Sequence, residues 1–275
     1  MKLHTSWTLL LFACLAWSCG SESQTTEAGE AEAGPETAAE APAETISVTP
    51  LEGSPAFAEA SIGLGSHTAN EDGTYTFNFD VEGYELGAQT EPKPGPLANS
   101  GKGQHIHLIV DNGPYSAHYE PTVSTDKLQE PGNHVVLAFL SRSYHESVKN
   151  VEGDKTSFFL SQYQTGEGEV EQADFTAPHM FYSRPKGTYK GEDTKKLLLD
   201  FFLLNTELSE SGNKIRATIN GQEFLLTEWR PYVIEGLNLG TVTIKLELMD
   251  GAGQPIPGPF NTVTREVTLA PADAE

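Results

Sequence analysis

The chain has 275 residues, 39 acidic against 17 basic, and a formal net charge of −22. A polyanion of this kind repels nucleic acid and anionic headgroups, which excludes both as partners. Its two cysteines, Cys14 and Cys19, lie near the N-terminus. Disulfides therefore stabilise nothing further on, and a chain long enough for two ordinary domains must rely on its apolar cores.

Met1 and Lys2 give a short positive start, and residues 8–17, TLLLFACLAW, form an apolar stretch too short for a mature spanning helix. This reads as a secretory signal over residues 1–18. It ends in AWSCGSES, which resembles a bacterial lipobox, and that resemblance makes Cys19 the lipidated first residue of the mature chain. Ala16 and Trp17 depart from the commoner residues at their places. A rival end at Cys14 has the better leucine, Leu11, but shortens the apolar core and leaves Leu15, Ala16 and Trp17 exposed after the lipid. An ordinary cleaved signal is the third alternative. Gly20, where many inner-membrane lipoproteins carry aspartate, looks like an outer-membrane address, facing the periplasm or the cell surface. Residues 20–45 hold seven glutamates, no basic residue and no large apolar side chain. With the lipidated cysteine they read as a disordered acidic tether over 19–45, with a reach on the order of 30 Å.

From residue 46 on, short alternating runs are bounded by turn residues, which predicts an all-β sandwich fold. The predicted strands in chain order are AEASIGL, GTYTFNFDV, QHIHLIVD, HVVLAFL and SFFLSQY, then HMFYS, KLLLDFFLL, NKIRATIN, QEFLLTE, TVTIKLELM and NTVTREVTL. The two sets read as a duplication. YTFNFDVEGYELG parallels LLLDFFLLNTELS, QHIHLIVDNGPYSAHYEP parallels NKIRATINGQEFLLTEWRP, and LQEPGNHVVLAFL parallels LNLGTVTIKLEL. Each unit has the size of an immunoglobulin-like domain. Gly132, His134, Val136 and Ala138 also resemble a late strand of bacterial immunoglobulin-like domains. The expected division is a first domain over 46–172, a second over 173–271 and a tail over 272–275, with the break near the acidic GEGEVEQAD. The resemblance is to bacterial envelope lipoproteins with two tandem immunoglobulin-like domains.

The duplication assigns faces. Lys214 and Arg216 cannot be buried without partners, so Ile215, Ala217 and Ile219 face the second core. By analogy Ile106, Leu108 and Val110 face the first core, and His105 and His107 point outward. His134, Val136, Ala138 and Leu140 likewise match the inward Val242, Ile244, Leu246 and Leu248, with the His134 ring hydrogen-bonded at the core edge. Val135, Leu137 and Phe139 then form an apolar stripe on the outer face, where the second copy has Thr243, Lys245 and Glu247. Such a stripe calls for a cover: the N-terminal strand, the second domain, another subunit or an external ligand.

His105-x-His107 on one strand face makes a metal pair, which His118 joins after a turn and His145 joins if the sheet brings the strand ends together. His67 and His179 lie on loops. Ser141, Ser143, His145 and Glu146 have the residue types of a hydrolase, without a nucleophile elbow. Tyr182, Trp229 and Tyr232 sit among Arg and Pro, where rings stack on sugars or peptides or else pack at a core edge. The sequence reading is thus a non-enzymatic, lipid-anchored envelope protein without a cofactor. Val135, Leu137, Phe139, Trp229 and Tyr232 would form a contact surface, within the molecule or with a partner, and an envelope protein, peptide or glycan is the expected partner of the chain. The alternative is an envelope lipoprotein holding copper or zinc on surface histidines: His105, His107, His118 and His145.

Overall fold

A computed structural model describes residues 45–153, 155–167 and 172–273. The signal, Cys19 and the tether up to residue 44 lie outside the described residues. The described chain is all-β. Its strands are β1 (Ser47–Pro50), β2 (Ser61–Ala69), β3 (Tyr75–Glu82), β4 (His105–Val110), β5 (Ser116–His118), β6 (Thr122–Thr125), β7 (Gly132–Ser141) and β8 (Phe158–Thr165). They continue with β9 (His179–Arg184), β10 (Gly187–Lys190), β11 (Leu197–Leu204), β12 (Lys214–Ile219), β13 (Gln222–Leu226), β14 (Tyr232–Glu235), β15 (Gly240–Met249) and β16 (Thr262–Ala270).

Four sheets make two sandwiches. In the first, β2-β3-β6 faces β5-β4-β7-β8; in the second, β1-β14-β11-β9 faces β10-β16-β15-β12-β13. The paired motifs occupy equivalent places: β3 with β11, β4 with β12, β7 with β15. Ile106, Leu108, Val110, Val136, Ala138 and Leu140 lie in the first core with Phe77 and Phe79. Ile215, Ala217, Ile219, Val242, Ile244, Leu246 and Leu248 lie in the second. Strands β5, β6, β10 and β14, each of three or four residues, carry too short a pattern to be read from the sequence.

One feature differs from the sequence reading, and a second decides among the alternatives that it left open. First, β1 does not join the first sandwich. It pairs antiparallel with β14, Val48 opposite Ile234, and Ile46 enters the second core. Residues 51–60 then carry the chain back to β2. Second, the outer stripe is not open. Val135, Leu137 and Phe139 are buried with Ile109 and Tyr115 against Phe181, Phe202, Leu204 and Phe260 of the second sandwich. The Phe139 and Phe202 rings stack at 5.1 Å and 15°. The cover is the second sandwich, one of the covers the stripe called for, and the contact surface is the interface between the two sandwiches. Trp229 borders the same cluster, edge-on to Phe202 at 5.2 Å, with Nε1 donating to Phe201 O at 3.0 Å. Tyr232 belongs to the second core and donates to Glu228 O at 3.0 Å.

Polar groups lock the two halves together. Asn112 donates to Met180 O and Phe260 O and accepts from Tyr182 N. Arg265 lies over the Tyr182 ring at 4.3 Å and donates to Asn112 O and Gly113 O. Asp200, fully buried on β11, takes an ion pair from Lys149 at 2.6 Å and hydrogen bonds from Ser147 N and Oγ.

Candidate metal centre

His105 and His107 stand on one face of β4 because side chains alternate along a strand. That face is the outer face of the first sandwich, as the duplication implies, but both histidines are fully buried. The expectation of surface histidines is therefore corrected: the second sandwich removes this face from water.

Pairing of β4 with β7 sets His105 opposite Ser141, so the chain leaving β7 turns directly beside it. The turn is closed by Arg142 N donating to Glu146 O and His145 N donating to Arg142 O, both at 2.8 Å. His145 sits at its tip with φ 73°, a left-handed conformation that costs a non-glycine residue on the order of 1 kcal/mol or more. The turn aims its ring back at β4. His105 Nε2 lies 2.9 Å from His107 Nε2 and 3.1 Å from His145 Nδ1. Among the described residues, the metal-type donor atoms of these three lie within 4.8 Å of one another.

Hydrogen bonds at the far side of His105 fix its tautomer. Its Nδ1 is 2.8 Å from Gly103 O, and a carbonyl only accepts, so Nδ1 carries the proton and Nε2 is bare in the neutral ring. His107 Nδ1 faces Ser183 Oγ at 3.4 Å. Tyr115 lies flat on His107, ring centres 3.5 Å apart at 16°, and its hydroxyl is 3.4 Å from His145 Nδ1. Burial keeps these rings neutral. It lowers His105 to about 4, helped by the charges of Arg184 and Lys186 and opposed by the Gly103 bond. It lowers His107 and His145 as well, and the neighbouring histidines and Arg184 add to the effect. Burial also raises the Tyr115 hydroxyl. His105 Nε2 therefore accepts from His107 Nε2–H, and transfer of that proton to His107 Nδ1, beside Ser183 Oγ, would make the facing nitrogens a donor set for a metal cation.

The other histidines lie elsewhere. His118 is in register with Ile106, so it shares the face opposite His105 and His107, and its Nε2 bonds Ser116 Oγ at 2.8 Å. The sequence reading placed it in the metal set; strand alternation removes it. His67 packs edge-on to Tyr163, and His179 Nε2 donates to Asp174 O. His134 is at the core edge, between Asp111 and Glu130. The hydrolase residue types do not assemble: Ser143 Oγ accepts from Thr90 N, Glu146 pairs with Arg142 at 3.1 Å, and His145 faces His105. Tyr115 was not singled out in the sequence, although it stands in the same stretch as His105 and His107. Only the stacking on His107 reveals it.

The fold and site define an all-β, double-sandwich protein with a buried three-histidine cluster. No family model matches the chain, and no curated protein matches it. Among solved structures it is similar to the fibronectin(III)-like modules of Clostridium thermocellum CbhA, at 12% identity over 78% of this chain and 96% of that one, with a TM-score of 0.28. It is also similar to the central fibronectin-III array of RIM-binding protein, at 9% identity over 82% and 73%, with a TM-score of 0.25. A third is the pair of domains 4 and 5 of the S-layer protein SbsC, at 9% identity over 78% and 100%, with a TM-score of 0.20. At scores this low they bear on neither ligand nor activity.

Proposed function

We propose that this chain works by binding rather than by catalysis, and that what it binds is a transition-metal ion, copper or zinc, at His105, His107 and His145. One observation carries the reading: the ring nitrogens of three histidines meet at 2.9 and 3.1 Å in a buried site where His105 Nε2 is left bare. Tetrahedral bonds of about 2.0–2.1 Å place ligand nitrogens about 3.3 Å apart, near the two separations from His105, and loading draws the rings of His107 and His145, whose donor atoms lie within 4.8 Å, to that spacing. Imidazole donors without thiolate or carboxylate suit zinc and copper. The N-terminal signal and Cys19 support export and anchoring of this domain pair in the envelope through a lipid.

The test is metal content. Purified without chelator, the protein should carry or take up one equivalent of copper or zinc. His145→Ala removes the least buried of the three ligands and should abolish uptake while the fold persists. A wild-type protein that takes up neither metal sinks the reading.

A further inference from the structure

Arg142, Arg216 and Arg230 each pair with a glutamate carboxylate. Arg184 and Arg265 do not: among the described residues neither has a carboxylate within ion-pair distance, although both are buried and acidic residues outnumber basic ones by 39 to 17. Lys127 and Lys186 also lack a carboxylate partner, and all four cations gather around the loop between β4 and β5. Arg265 donates to Asn112 O and Gly113 O, Lys127 Nζ to Pro114 O, and Lys186 Nζ to Tyr115 O. Arg184 lies over the Tyr115 and Tyr189 rings, 5.6 Å from each centre, and donates to the Tyr189 hydroxyl. His107 covers one face of Tyr115 at 3.5 Å, so Lys186 Nζ, 4.0 Å from the ring centre, takes the other face, away from the histidine centre.

Like charges gathered in this way repel. Burial, then the charges of Arg184, Lys127 and Arg265, push the Lys186 ammonium down to about 8, and Asp126 acts on Lys127 only from beyond ion-pair distance. The donors are also only partly used. Arg184 Nε is buried without a hydrogen-bond partner, and each ammonium group has three protons against one loop carbonyl. Lys127 is exposed and Lys186 half-buried, so the cluster opens to water. A guanidinium beside two ammonium groups is a set of donors suited to an oxyanion. The net charge of −22 does not forbid one, because distant charges are screened beyond about 10 Å at 0.1 M salt while the cluster acts at contact.

We propose that Arg184, Lys186 and Lys127, backed by Arg265, form a binding site for a multiply charged oxyanion, a phosphate group or a dicarboxylate. The ion accepts from the two ammonium groups at the surface and from the buried Arg184 guanidinium, and it brings the negative charge that the cluster lacks. The site lies across the Tyr115 ring from the histidines and does not rest on the metal reading.

Inorganic phosphate and succinate, titrated separately into the purified chain by isothermal calorimetry in a low-salt buffer free of both, test this. At least one should bind with a dissociation constant of about 1 mM or tighter. Phosphate alone assigns a phosphate group, succinate alone a dicarboxylate, and binding of both the shared oxyanion chemistry; binding of neither overturns the site. Lys127→Gln with Lys186→Gln removes the two outer charges and should weaken binding roughly tenfold or more. Unchanged affinity in that double variant overturns the assignment. Should the variant fail to fold, amide chemical shifts of the wild type decide: changes centred on Tyr115, Arg184 and Lys186 as the ion is added support the site, and changes confined to other regions overturn it.

Discussion

His134 shows how an imidazole at the edge of a core is kept charged, and His105 how a fully buried one is kept neutral. Both nitrogens of His134 face acceptors, Nδ1 at 2.6 Å from Asp111 Oδ2 and Nε2 at 2.8 Å from Glu130 O. Both must carry protons, so the ring is an imidazolium. Burial alone opposes that charge, but the bonds to Glu130 O and the Asp111 carboxylate outweigh it and raise the pKa. Because the folded value lies above the unfolded one, the stability this lock contributes is complete below about pH 6.5 and is lost as pH rises through the folded value. His134→Gln should flatten that alkaline loss, checked by melting temperature against pH for both proteins. At His105 the Gly103 carbonyl fixes one proton and burial excludes a second. Lysine at both 105 and 107, harmless on an open face, would now bury two unpaired ammonium groups. The double variant should lose several kcal/mol of stability, read from the denaturant midpoint.

Among the elements, β11 and β12 follow opposite rules. Lys214–Ile219 alternates partly exposed and buried residues, because only one face meets a core. Leu197–Leu204 is buried throughout: Leu197, Leu199, Phe201 and Leu203 fill the second core, while Phe202 and Leu204 meet the first sandwich. A strand with both faces covered reads as an unbroken apolar run, as does β7 against it. The short β1 shows what such patterns miss. Four residues cannot declare a partner, and β1 joins the sheet more than 180 residues later in sequence. Ile46→Asp should therefore destabilise the second sandwich, by about 3 kcal/mol or more, although it follows directly on the tether. Hydrogen exchange should show faster exchange first in β14. Unchanged protection there would refute the role given to β1.

For the whole molecule, the sandwiches share one apolar interface fastened by buried polar groups, so each half depends on the other. Asp200 is the sharpest probe, since its carboxylate is fully buried and its cationic partner Lys149 comes from the other half. Lys149→Ala leaves that carboxylate unpaired and should cost about 3–5 kcal/mol in a denaturant titration, and Lys149→Ala with Asp200→Ala should cost less than the two single losses combined. The tether makes a separate prediction. Cys19→Ala should abolish fatty-acid labelling and release the protein from membranes. Labelling that persists in the variant would point to Cys14.

The sequence by itself determined the fold class, the repeat and the inward and outward faces of the central strands, because alternation and charge placement are local and a buried lysine is too costly to be ambiguous. It also supplied His105 and His107 as a pair and marked the Val135, Leu137 and Phe139 stripe as needing a cover. Only the tertiary structure decided what the cover is, since one apolar surface says nothing of which other it meets. The same packing turned two outward histidines into buried ones. The antiparallel register of β4 with β7 and the turn at His145 brought in the third ring, and strand alternation left His118 on the other face. Tyr115 has no pattern of its own; its place against His107 exists only once the second sandwich closes over the first.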